Sequence, residues 1–251
     1  MRIRLPMMLA GWAALLVAAP ALADEPIARF ADPLCPGVAG LKPDAASTVF
    51  GRIRDNARAA GVRLAQDGDC SPNLIVAFVE DGQGFLQRLE ASKPLMFAEM
   101  SVPERRALLA EEGPARVLHS TLVRSHEGMP VPRRENLEQV PQTGMWSAHS
   151  RIYTPTRRDI VSALVLFDAG EIGEFEMTQL ADYASLRGLA PIAPPDRGEG
   201  ASIAALFDED APAPELTATD KAFLAAIYEG PANLPSAARQ AGIAEAVRRA
   251  S

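Results

Sequence analysis

"MTQLADYASLRGLAP", residues 177–191, reads as a single amphipathic helix that stops at Gly188 and Pro191. At about 100° per residue, Met177, Leu180, Ala181, Ala184 and Gly188 form one stripe. Thr178, Gln179, Asp182 and Ser185 lie mainly opposite. Arg187 falls beside Leu180 and Ala184 on the apolar side, with Tyr183 one turn before it. A guanidinium buried there must find a carboxylate or carbonyls; at the edge of the stripe it reaches water instead. Asp182, Tyr183 and Arg187 are therefore candidates either for a structural ion pair or for a binding surface.

Working outward, "DIVSALVLFD" (159–168) is a β-rich run directly before the helix, paired with a shorter strand around 151–154. "LIVAFVE" (74–80) is apolar throughout and too short for most helices, so it reads as a strand buried on both faces. Residues 115–124 read as a further strand, and 62–66 as a short alternating one. Helices are expected from Asp44, as N-cap, to about Ala60 with Gly61 closing it, after Asp81-Gly82, and from Ser101 with Glu104 completing a capping box. Two more are expected over Thr217–Tyr228 and from about Leu234 to Arg249. Residues 31–43 look irregular, with Pro33, Pro36, Gly37, Gly40 and Pro43. Strands gathered in one part with helices closing the other suggest an α+β fold: a mixed, mostly antiparallel sheet flanked by helices, in one domain over 24–251. Long helices between strands leave α/β open.

The N-terminus carries a different signal. Arg2 and Arg4 precede an apolar run over 5–19, and Ala21-Leu22-Ala23 precedes Asp24. That order is the pattern of a secretory signal peptide over 1–23, which implies a periplasmic or secreted protein without stable membrane insertion after cleavage. Cleavage would take the formal charge from -7 to -9, a poor balance for nucleic acid or anionic lipid. The two cysteines, Cys35 and Cys70, read as a disulfide in an exported chain, and no C-x-x-C or nearby histidine suggests metal.

Three features then fall in a suggestive order: the strand and helix ending "RGLAP", then "SIAALFD" (202–208), then "LTATDKAFLAAIYEG" (216–230). Over roughly 160–230 this tail resembles that of matrixin-like zinc metalloproteases of the zincin fold. In that family a HExxHxxGxxH helix holds the metal, a Ser-Ile-Met turn runs beneath it, and a Leu-Thr-x-x-Asp helix closes the domain. Ser202, Ile203, Leu216, Thr217, Asp220, Ile227 and Tyr228 match, and Ala204 stands where the methionine would. The tail is also similar to a wider group of exported bacterial proteins, a likeness that brings no activity with it. If Gly188 takes the place of the motif glycine, the ligand positions are Ala181, Ser185 and Pro191, and the general-base position is Asp182. A catalytic zinc needs three protein ligands and an open position for water. Methyl and pyrrolidine groups offer no lone pair, and no histidine lies beyond His149. No metal and no cofactor is therefore expected.

Elsewhere, residues 125–150 form a long segment of little periodicity holding His126, Glu127, Trp146 and His149. A non-metal hydrolase site there is one alternative, and a purely structural envelope protein another. No nucleophile elbow, dinucleotide loop or P-loop occurs, and "DEDAPAPE" (208–215) lacks calcium-loop spacing. The leading expectation is a non-catalytic zincin-like binding or scaffolding domain of the cell envelope. It would take a peptide or envelope protein through Asp182, Tyr183, Arg187 and His149.

Overall fold

The computed structural model describes residues 25–66, 68, 70–131, 150, 152–173, 175–195, 202–208 and 212–251. The expected signal peptide, Trp146 and His149 lie outside the described residues. The sheet is organised around one long strand, β5 (Thr156–Asp168). Along one side β4 (Ala115–Ser125) runs antiparallel, from Ala115 opposite Phe167 to Ser125 opposite Thr156. Along the other side lie two parallel strands end to end. The short β1 (Arg29–Phe30) meets Asp159 and Ile160, and β3 (Leu74–Val79) meets Ala163 through Asp168. Outside β3, β2 (Pro36–Ala39) pairs in parallel.

Helices cover both faces. On one side, α1 (Pro43–Ala59), α4 (Met177–Leu189), α5 (Ala218–Tyr228) and α6 (Ser236–Ala250) bury Val49, Ile53, Leu180, Phe223 and Val247 with Leu74, Val76, Val165 and Phe167 of the sheet. On the other, α2 (Gly82–Ser92), a 3₁₀ turn at Pro94–Phe97 and α3 (Val102–Ala110) bury Leu86, Phe97 and Leu108 with Ala77, Leu118, Leu164 and Leu166. Alternate residues of β3 and β5 thus enter different cores, which requires a strand that is apolar on both faces. Fully buried side chains of this size stabilise by about 1.5–3 kcal/mol each before chain entropy is counted.

The expected α+β fold with a mostly antiparallel sheet is overturned. The pairings β1·β5, β2·β3 and β3·β5 are parallel and only β4·β5 is antiparallel, so the fold is α/β. The cause is the connections. Adjacent parallel strands need a crossover, and α1 supplies one between β2 and β3. The misleading element is "PGVA", which carries Pro36 and Gly37 yet forms β2. A Cβ at Gly37 would stand 2.9 Å from Pro72 Cβ, so glycine lets the chain pass there.

Smaller expectations shift too. The 62–66 strand reduces to one parallel bridge, Leu34 with Leu64, and no strand forms at 152–155. Lys42 is the N-cap of α1, with Pro43 at its first position, so Asp44 sits in the first turn. The capping boxes at Ser101–Glu104 and Thr217–Asp220 both form. The Cys35–Cys70 disulfide forms and ties the approach to β2 to the loop before β3. Among the described residues no helix is long and apolar enough to cross a membrane.

Candidate functional site

Helix α4 is where the candidate residues converge. It begins at Glu176, whose N–H donates to Gln179 Oε1 at 3.1 Å in a reciprocal capping box. Every residue from Leu180 to Leu186 is buried, so the helix is enclosed by protein and not half-exposed. Gly188 permits this. A Cβ there would lie 2.7 Å from Leu74 Cδ1 and 3.3 Å from Val165 Cγ2, so a hydrogen at that position lets the helix end rest on the sheet.

The polar side of the helix faces α1. Asp182 is fully buried, and its carboxylate accepts four hydrogen bonds. Arg52 Nε and Nη2 donate to its two oxygens at 2.7 Å each, a bidentate pair. Asn56 Nδ2 donates at 2.6 Å and the Leu216 backbone N–H at 3.0 Å. Ser185, also fully buried, donates to the Ala181 carbonyl at 2.7 Å and accepts from Asn56 at 3.0 Å. Arg52 also reaches Glu215 at 3.0 Å, and the carboxylate contacts push its pKa further up. One carboxylate thus fastens α4 to α1 and to the segment entering α5. The ion pair of this helix is made by Asp182 with Arg52; the one expected at Arg187 does not occur among the described residues, where the Arg187 Nε is buried without a hydrogen-bond partner.

Tyr183 and Arg187 point elsewhere. Burial pushes the Tyr183 phenol pKa up, and the nearby Arg187 charge opposes this. The Tyr183 ring meets Phe207 and Phe167 at centroid distances of 4.9 and 5.9 Å. The Arg187 charge also acts on Glu111, whose pKa burial raises, and on His119. His119 Nε2 lies 3.1 Å from the Gly188 carbonyl, a contact that makes this nitrogen the protonated one in the neutral ring. Burial, then the Arg187 charge, push its pKa down to about 4 although the carbonyl opposes this. Such a histidine is a weak base at neutral pH. Around the end of α4 the Arg187 charge thus acts on a buried phenol, a carboxyl and a neutral imidazole. That set suits hydrogen-bonded recognition better than proton transfer.

The "SIAALFD" segment forms a 3₁₀ turn at Ile203–Ala205, with Ile203 buried in the same core as α4 and Ala204 partly buried against it. Asp220 of α5 holds the turn. It accepts from Ser202 Oγ at 2.6 Å, from the Ile203 N–H at 2.9 Å and from the Thr217 N–H at 3.1 Å. Tyr228 at the end of α5 donates to the Leu189 carbonyl at 2.8 Å, closing the tail against α4.

The structure thus separates the sequence-derived candidates. Asp182 belongs to a buried joint, Tyr183 and Arg187 to a polar cluster with Glu111 and His119, and His149 lies outside the described residues. At the positions that the resemblance assigns to metal ligands stand the Ala181 methyl, the Ser185 hydroxyl engaged on both sides, and Pro191. This donor set does not fit zinc. Among the described residues no group of three or more His, Cys, Asp or Glu is placed to hold a metal ion. Arg52, Asn56, Glu111 and His119 were missed as partners of α4. The one available signal was Arg52 and Asn56, four apart on the polar side of α1. Comparisons of the chain with protein-family models, with curated proteins and with solved structures return no match. No match identifies a zincin-like fold.

Proposed function

We propose that this is a non-catalytic binding or scaffolding protein of the cell envelope, exported through its N-terminal segment. Its tail resembles that of the zincin-type proteases, without their chemistry. The observation that carries this reading is Asp182. At the general-base position of the resembled motif, its carboxylate is buried and spends both oxygens on Arg52, Asn56 and the Leu216 N–H. A general base must reach the proton it abstracts, directly or through one water, and Asp182 faces α1 instead. The disulfide supports an oxidising compartment. The polar cluster of Tyr183, Arg187, Glu111 and His119 at the end of α4 is the binding face of this reading, with a peptide or an envelope protein as its partner.

The test is hydrolysis of casein and of mixed peptide libraries by the purified chain, with and without one equivalent of zinc. No turnover is expected in either condition. Turnover that a chelator or Asp182→Asn abolishes would overturn the proposal.

A further inference from the structure

We infer a second site, for a small oxyanion, in a cleft built from other residues than the α4 cluster and independent of the function proposed above. The cleft has a volume of about 320 Å³ and lies where β1 and the start of β5 meet the end of α5. Arg29, Arg63, Arg157 and Asp32 line it, with Phe30 and Tyr228 as its aromatic wall.

The charge bookkeeping of this cleft does not close. Arg157 is paired with Asp159 at 3.0 Å, and Asp32 is matched by Arg124 at 3.2 Å, which also reaches Asp159 at 3.4 Å. Arg29 and Arg63 have no carboxylate partner among the described residues. Arg29 donates to the backbone carbonyls of Ile227 at 3.1 Å and Gly230 at 2.7 Å. Arg63 donates to the carbonyl of Ala31. Behind them Arg239 is likewise held by backbone carbonyls, of Ala226, Glu229 and Pro231. Burial and the Arg239 charge both disfavour the Arg29 guanidinium, and the nearby Tyr228 and Asp159 oppose this only in part. Arg157 Nε is buried with no hydrogen-bond partner among the described residues.

Carbonyls orient a guanidinium without neutralising it. Arg29 and Arg63 are thus fixed in place with charge to spare, in a chain of formal charge -7. Guanidinium forks match carboxylate and phosphate oxygens. The volume is at the lower end of ligand sites, which limits the ligand to a small organic acid or phosphate ester. Tyr228 joins this cleft to the rest of the fold. Its hydroxyl receives the Phe30 N–H at 3.4 Å and donates to Leu189 of α4.

The test is calorimetric titration of the full chain at low salt with citrate, with inorganic phosphate and with glucose as a neutral control. Citrate or phosphate is expected to bind once per chain, and glucose not at all. Citrate alone would define a carboxylate site and phosphate alone a phosphate site. Arg63 is exposed and, among the described residues, its side chain bonds only the Ala31 carbonyl, so Arg63→Gln keeps the fold. It should weaken binding about tenfold or more, while Arg63→Lys retains part of it. Arg105→Gln on α3 is the remote control. No binding of either anion at about 10 mM, or equal binding by the Arg63→Gln and Arg105→Gln variants, overturns the site.

Discussion

Replacing Asp182 by alanine removes an acceptor from four hydrogen bonds at once, and the structure sets the size of the loss. The Leu216 N–H is left buried without a partner, which costs about 1–3 kcal/mol. Asn56 keeps Ser185 as acceptor, so it loses about half as much. Arg52 is about a third exposed and keeps Glu215, so its share is about 0.5 kcal/mol after solvent screening. The void left by the carboxylate adds about 1 kcal/mol. A total of about 3–6 kcal/mol follows, close to the cost of breaking one partner of a buried pair. In a chain of this size that corresponds to roughly 6–24 °C in Tm. The assay is urea denaturation followed by circular dichroism, with Arg52→Ala and the double variant completing a cycle. The coupling between Arg52 and Asp182 should be about 0.5 kcal/mol. A loss below about 1 kcal/mol for Asp182→Ala would refute the reasoning, because Asp182 would then not be the joint between α1 and α4.

Further expectations concern the same helix and its supports. The pKa of His119 falls from 6.5 to about 4 on folding. Below 6.5 the unfolded chain takes up a proton that the folded chain refuses. The His119 contribution is therefore complete above about pH 6.5 and is lost as pH falls toward 4, at up to about 1.4 kcal/mol per pH unit. His119→Gln should flatten the slope of stability between about pH 7 and pH 5; identical slopes in the two proteins contradict it. Gly188→Ala forces a methyl against Leu74 and Val165, and should cost about 1–3 kcal/mol by urea denaturation. An unchanged midpoint would mean that α4 does not rest on the sheet there. Cys35→Ser with Cys70→Ser should lower stability by about 2–4 kcal/mol, and thiol titration of the unfolded native chain should find no free cysteine.

Local pattern made much of this fold readable. The apolar run at 74–80 announced a strand between two cores, and the capping boxes at Ser101 and Thr217 marked two helix starts. Strand direction was less legible, because it depends on how α1 carries the chain from β2 to β3, and β2 hides in a Pro-Gly segment. The amphipathic reading of α4 failed for a related reason. Asp182 and Ser185 look like a solvent face only while their partners, 130 and 129 positions away in Arg52 and Asn56, are unknown. The arginines of the oxyanion cleft are spread over 29, 63 and 157 and share no motif. Only the meeting of β1, β5 and the end of α5 makes them one site.

The most direct test of the central claim, that α4 is held by the buried Asp182–Arg52 pair and by no metal, is a thermal melt of the purified chain in excess EDTA and again with equimolar zinc. A metal bound only by the folded state would raise Tm and its removal would lower it. The account predicts melts that coincide within about 1 °C. A Tm that falls by several degrees in EDTA and returns with zinc would contradict it.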